Sequence, residues 1–312
     1  MSNQHLRLPI VFSILAALAT LAMKASAAWL TGSVGLLSDA AESGVNLIAA
    51  VTALISLWYS ARPVDPSHAY GHEKIEYFSS GLEGILIIVA ALSIGWYAIR
   101  RLIVPQPLEE LTLGVGLALA ASALNLLVAQ WLLRVGRKHH SIVLEADGQH
   151  LMTDVWSSVA VVAGLGLAWY TGIGALDPIL ALLIALHILY TGLHLIRRSF
   201  DGLMDHALPP EEQDRVRAAI ESVLRNGAAY HALRTRQAGA HRFVDFHLLV
   251  PGRSTVRDAH QQAEAIEQAV GKLWDRVEVV IHIEPIEDPA SYRDSEVLAF
   301  EAEQRVDNQT AQ

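Results

Sequence analysis

Residues 77–98 read YFSSGLEGILIIVAALSIGWYA, and this apolar run decides the fold. A helix needs ~20 mostly apolar residues to cross the ~30 Å of hydrocarbon in a bilayer, which this segment supplies. Five further runs qualify in the same part of the chain: 8–30, 35–59, 111–133, 142–170 and 176–195. Turn-forming or charged residues separate them, as at Arg62-Pro63, Pro105-Gln106-Pro107 and Asp177-Pro178. The first run is too long for a signal peptide and lacks a small-residue cleavage site with a soluble sequel, so it reads as helix 1. The pattern predicts a membrane α-helical domain of six transmembrane helices over residues 1–200.

Composition agrees. Of the 312 residues, 52% are hydrophobic and only 18% charged, against roughly 25% charged in a soluble domain. The net charge of −9 is unevenly placed. Residues 1–200 hold 11 Lys/Arg and 12 Asp/Glu, whereas residues 201–312 hold 12 and 20. A nearly neutral membrane part therefore precedes an acidic soluble part, which argues against a nucleic-acid partner. The absence of cysteine excludes disulfides, iron–sulfur clusters and Cys-type zinc sites.

Orientation follows from the basic residues of the short loops. Arg7, Arg62, Lys74, Arg134, Arg137, Lys138, Arg197 and Arg198 fall on one side, and Arg100 and Arg101 on the other. That bias places both termini in the cytoplasm, with the protein in the cell membrane (a bacterial inner membrane). Lys24 lies toward the outer end of helix 1, where its long side chain can snorkel to the interface.

In the tail, a helical pattern opens at Pro209-Pro210-Glu211-Glu212 and runs to about residue 225. Segments 233–237 and 243–250 alternate as half-buried strands do, a second helix covers 256–273, and 277–283 reads as a third strand. The order α-β-β-α-β predicts a small open sheet with helices on one face. The expected division is 1–200 as transport domain, 201–290 as a cytoplasmic domain and 291–312 as a flexible acidic tail.

The strongest chemical signal is the set of polar groups inside the membrane runs. Asp39, Glu42 and Asn46 lie on helix 2, and His150 and Asp154 on helix 5. Glu42/Asn46 and His150/Asp154 are i,i+4 pairs, so each pair shares one helix face. At ~1.5 Å per residue both pairs come near mid-bilayer, because the two helices run in opposite directions. A charge there costs ~2.5 kcal/mol or more unless it is partnered. Interhelical hydrogen bonding is one reading. Two carboxylates, an imidazole and an amide oxygen also make a near-complete shell for a divalent cation.

Two further clusters carry ligand types. Asp65, His68 and His72 fall within eight residues of the loop between helices 2 and 3. Glu76 occupies the place of the second His after His72-Glu73, so a His-Glu-x-x-His protease motif fails. The tail holds His231, His247, His260 and His282 with Glu284. His282 and Glu284 share one strand face. His139-His140, His187 and His194 lack carboxylate companions and read as packing or interfacial residues.

Taken together these stretches resemble the cation diffusion facilitators, divalent-metal/proton antiporters that include bacterial ferrous-iron/zinc efflux pumps. The resemblance rests on Gly32-Ser-Val-Gly-Leu-Leu-Ser-Asp-Ala40, His68-Ala-Tyr-Gly-His72-Glu-Lys-Ile-Glu76 and Glu145-Ala-Asp-Gly-Gln-His150-Leu-Met-Thr-Asp154. It continues in Leu233-Arg-Thr-Arg-Gln-Ala-Gly239 and Val280-Ile-His282-Ile-Glu-Pro285, and spans roughly residues 8–287. It implies six transmembrane helices, a ferredoxin-like cytoplasmic domain and a homodimer. It implies a transport site at Glu42, Asn46, His150 and Asp154, and a loop site at Asp65, His68 and His72. A cytoplasmic metal site is implied at His231, His247, His260, His282 and Glu284, and a charge interlock between the domains at Lys74 and Asp205. The chain departs from the family at Glu42/Asn46, where iron/zinc members carry two Asp, and at Glu284, where close relatives carry Asp.

The expected function is proton-coupled efflux of divalent transition metals, zinc foremost, by alternating access. Iron, cobalt, cadmium and manganese are the other candidate cargoes. His150 would bind metal when neutral and take a proton when metal leaves, since imidazole titrates near ~6.5. The rival is a membrane-anchored metalloenzyme built on the loop or tail site, for which the sequence supplies neither a nucleophile nor a hydrolase motif.

Overall fold

The structure, a computed structural model, describes residues 4–31, 34–104, 112–173, 175–225 and 227–293. The chain divides into two compact units, Met1–Leu203 and Met204–Gln312.

The first unit consists, among the described residues, of six long helices. They are α1 (Gln4–Thr31), α2 (Val34–Ser60), α3 (Ile75–Ile103), α4 (Thr112–His139), α5 (Ile142–Thr171) and α6 (Leu176–Leu203). Most outrun the apolar stretches that announce them, because Arg100-Arg101, Arg134 to Lys138 and Arg197-Arg198 continue the helix past the apolar run. Among the described residues four segments are long and apolar enough to cross a membrane: Leu8–Ser26, Ile75–Ile103, Leu119–His139 and Pro178–Leu203. α2 gives the shorter apolar stretch Leu47–Ser60. In α2 and α5 the side chains of residues 34–42 and 160–169 lie outside the described residues.

The faces of α3 show how the bundle is sorted. Ile85, Val89, Leu92 and Trp96 are exposed and follow helical spacing, forming an apolar outer stripe suited to lipid. Tyr77, Ile87 and Ala91 turn inward to a core shared with Ile142 and Ala146 of α5 and Ile188 and Leu195 of α6. A second core joins Ile10 and Ala16 of α1, Ala53 and Leu57 of α2, Ala129 and Leu132 of α4, and Leu144 and Leu151 of α5.

Small residues set how close α3 and α6 come. A Cβ on Gly192 would lie 2.8 Å from Ile88 Cγ1 and 3.1 Å from the Gly84 carbonyl oxygen. The reciprocal Cβ on Gly84 would meet the Gly192 carbonyl at 3.2 Å. Without a hydrophobic force between helices in lipid, such backbone approach is a main source of association. Gly192→Ile should therefore lower stability by about 1–3 kcal/mol through overpacking. Thermal unfolding in detergent checks this, and an unchanged midpoint would contradict the close contact.

The second unit runs α7 (Pro210–Val223), β1 (Ala229–Ala238), β2 (His241–Val250), α8 (Val256–Gly271) and β3 (Val277–Pro285), the order expected from the sequence. Its sheet has the order β1-β2-β3, with β1/β2 antiparallel and β2/β3 parallel. Val216 and Ile220 of α7 and Ala263, Ile266 and Val270 of α8 pack with Val244, Phe246 and Leu248 of β2. α8 starts at a capping box: Thr255 Oγ1 accepts from the Asp258 amide at 3.2 Å, and Asp258 accepts from the Thr255 amide at 3.2 Å. Thr255 Oγ1 also donates to Asp258 Oδ2 at 2.6 Å, and this bond foremost, with that from the Thr255 amide, holds the Asp258 carboxyl below its ordinary range. The capping contribution is therefore present above that range and fades as pH falls through the lowered value. A short 3-10 turn, Pro289–Tyr292, follows β3. The acidic tail from residue 294 onward lies outside the described residues.

Candidate metal centres

The loop after α2 is shaped around Asp65. Its Oδ1 accepts from the backbone amides of Ser67 and His68, both at 2.8 Å, closing an Asx turn. Gly71, at φ +90°, lets the chain reverse toward α3, and a Cβ there would lie 2.3 Å from Glu73 Oε2. The turn brings His68 Nδ1 to 3.1 Å from Asp65 Oδ1, and His72 Nε2 to 3.2 Å from Asp65 Oδ2. One ligand atom from each of Asp65, His68 and His72 lies within 4.8 Å of the others. Desolvation pushes the Asp65 carboxyl up, but hydrogen bonds from the His68 amide and ring and the Ser67 amide outweigh it and hold it below the usual range. Asp65 is thus a ready anionic ligand at neutral pH. His72 is buried and set edge-on against Tyr59, while Asp65 and His68 are exposed.

In the second unit, strand register does the work. His231 of β1 pairs with His247 of β2, and His247 pairs with His282 of β3. Three imidazoles thus form one row across the sheet, with ring centroids 5.1 and 4.9 Å apart. The Glu284 carboxylate touches all three: 3.1 Å to His231 Nε2, 3.3 Å to His247 Nδ1 and 3.4 Å to His282 Nε2. One ligand atom from each of His231, His247 and Glu284 lies within 4.8 Å of the others, whereas His282, which contacts Glu284, is not in that converging group among the described residues. A bulge between His231 and Arg234, with Ala232 at φ +53°, lets β1 present His231 to the row. His260 is exposed on α8 and is not among the converging ligand atoms of the described residues.

Inside the helical unit, His150 and Asp154 are 4% and 5% exposed, one turn apart on α5. Asp154 Oδ2 accepts a 3.1 Å hydrogen bond from Asn125 Nδ2 of α4. α2 packs along α5. Glu42 and Asn46 hold positions on α2, but their side chains, like that of Asp39, lie outside the described residues. Sequence reading passed over Asn125, although a lone amide in an apolar helix is a signal of its own. Asn125→Ala should weaken metal affinity about 10–100-fold, as loss of a ligand's hydrogen-bond partner typically does. This is checked as KM for metal flux, and an unchanged KM would remove Asn125 from the site.

The expected interlock pair falls in separate units. Lys74 Nζ donates to the Leu203 carbonyl at 3.3 Å, and Asp205, at φ +57°, accepts from Arg236 Nη1 at 3.3 Å. Elsewhere, Arg198 of α6 clasps Glu145 of α5, and Ser199 donates to the Tyr77 carbonyl.

Two family models cover nearly the whole chain. The cation efflux transmembrane domain matches residues 10–204, and the cytoplasmic domain of cation efflux proteins matches residues 208–286. The chain belongs to the cation diffusion facilitator family. Relatives of this cation diffusion facilitator include an uncharacterized transporter of Synechocystis sp., 49% identical over 91% of both chains. The cation-efflux pump FieF of Citrobacter koseri is 34% identical over 95% of this chain and 96% of its own. A solved structure, the metal-bound C-terminal domain of the CzcD transporter from Thermotoga maritima, is 29% identical. The match covers 26% of this chain and 99% of that one, with a TM-score of 0.23. Like its relatives, this cation diffusion facilitator is a multi-pass membrane transporter and not an enzyme.

Proposed function

We propose that this cation diffusion facilitator exports divalent transition metals from the cytoplasm in exchange for protons, with zinc as its principal cargo. The observation that carries the reading is the burial of His150 and Asp154 on one face of α5, with Asn125 holding the carboxylate. With Glu42 and Asn46 on the neighbouring α2, they form the transport site. A neutral imidazole and two carboxylates give this set a charge of −2, so a dication brings it to neutrality. That lowers the cost of carrying charge through the bilayer. When metal leaves, His150 takes a proton. In this reading α1 to α6 all span the membrane, both termini are cytoplasmic, and alternating access moves the site from one side to the other.

The loop site at Asp65, His68 and His72 and the cytoplasmic site at His231, His247, His282 and Glu284 collect metal, with His260 as a further ligand. The domain after residue 200 adopts the ferredoxin-like arrangement and joins two copies into a homodimer. Lys74 and Asp205 interlock the two domains. Asn46 supplies a neutral oxygen, which zinc accepts less readily than carboxylate or imidazole.

Metal uptake into proteoliposomes, compared across zinc, iron, cobalt, cadmium and manganese, tests the cargo. Zinc should give the highest kcat/KM. A protein that moves manganese or iron but not zinc would overturn the zinc assignment.

A further inference from the structure

The last two turns of α4 carry cations that none of the metal centres uses. Arg134, Arg137 and Lys138 are exposed, and among the described residues none of them is paired with a carboxylate. Arg134 Nη2 donates to the side-chain oxygen of Gln130, one turn earlier, at 3.1 Å. The cations at the C-terminal ends of α2 and α6 are engaged within the protein. Arg62, just beyond α2, lies 4.3 Å from the centre of the Trp58 ring and 4.8 Å from that of Tyr59. On α6, Arg197 reaches Asp201 at 3.9 Å and Arg198 clasps Glu145.

A helix C-terminus favours positive charge by itself, but that does not account for the surface beneath these cations. At 3.6 residues per turn, Leu127, Gln130, Trp131, Arg134, Arg137 and Lys138 fall within about a third of the helix circumference. Leu127 is 69% exposed and Trp131 is half-buried. Along one stripe the helix therefore passes from apolar to aromatic to cationic over roughly 16 Å. α1 packs along α4 and widens the apolar part. Phe12 meets Trp131 edge-on with ring centroids 5.2 Å apart, and Leu8, Phe12 and Leu15 are exposed at helical spacing. Since Leu119–His139 is long and apolar enough to cross the membrane, the order of the stripe matches that of a phospholipid: acyl chain, interface, phosphate.

We propose that this face of α4, with the adjoining face of α1, binds an anionic phospholipid. Arg134, Arg137 and Lys138 hold its phosphate, and its acyl chains lie over Leu127, Trp131 and Phe12. Guanidinium groups suit this role because their paired N–H donors match phosphate oxygens. A soluble anion would leave the apolar part of the stripe unused. A second copy bringing the same face would set like charges against one another. The site rests on α4 crossing the bilayer and is independent of cargo and of proton coupling.

Native mass spectrometry of the full-length protein, titrated with phosphatidylglycerol or with phosphatidylcholine of the same acyl chains, tests it. Each chain should retain phosphatidylglycerol at concentrations where phosphatidylcholine is lost. Arg134→Gln/Arg137→Gln should weaken this binding about 30-fold, since each basic residue at an anionic lipid surface contributes about fivefold. Lys138→Gln, with a loss of about fivefold, gives a second reading should the double variant fail to fold. Arg100→Gln/Arg197→Gln removes the same charge from exposed positions elsewhere and should leave binding unchanged. Equal retention of the two lipids, or equal losses in the two double variants, would overturn the site. Displacement of the lipid by inorganic phosphate would overturn the lipid assignment in favour of a soluble anion. Dissociation of the dimer in Arg134→Gln/Arg137→Gln with lipid binding intact would make the face a contact between copies instead.

Discussion

Asp154→Ala should abolish zinc flux while leaving the protein folded and dimeric. The carboxylate is buried beside His150, and its truncation removes no apolar side chain from the cores around α5. Truncation leaves the Asn125 amide without its acceptor, at a cost of about 1–3 kcal/mol, which falls within the ordinary range for point substitutions. Loss of the negative charge does more damage to transport. The −2 set becomes −1, so a dication would cross with a net positive charge in a region where charge is expensive. The fall in flux should exceed the roughly 100-fold that loss of an outer hydrogen-bond partner can cause. Flux in proteoliposomes, with size-exclusion chromatography as the control for folding, reads the outcome. Wild-type flux in this variant would remove α5 from the transport site.

Zinc should raise the melting temperature of the cytoplasmic fragment, and His247→Ala should remove most of that gain. The fragment has its own apolar core, and the histidine row with Glu284 is assembled by strand register in the folded state only. Ligands that bind only the folded state stabilise it, by about 2.7 kcal/mol at a hundredfold excess over Kd. His247 is the central residue of the row, so its loss separates His231 from His282. The zinc effect should also fade with acidification, because metal binding needs neutral imidazoles. A melting curve indifferent to zinc would eliminate metal binding by this domain.

Much of the fold was legible because hydrophobic period is a local property. The apolar run at 77–98 lies within α3, and the patterns at 256–273 and 243–250 gave α8 and β2 to within a few residues. β1 was the exception. It begins at Ala229, four residues before the alternation becomes readable, because the bulge near Ala232 interrupts the period. That hidden stretch contains His231. The histidines themselves could be named from the sequence, but not their alignment in one row: register between strands is set by tertiary packing, and spacing along the chain does not encode it. The loop site was easier to read, since Asp65, His68 and Gly71 determine their own turn. Asn125 escaped notice because it has meaning only beside Asp154 on another helix.

The exchange of metal for protons at the buried α5 site is tested most directly by following both ions in the same sealed proteoliposomes. With an acidic interior, zinc should enter as protons leave, and both fluxes should vanish when an ionophore collapses the pH gradient or when Asp154 is replaced by Ala. Zinc entry that continues unchanged without the gradient, or that releases no protons, would contradict it.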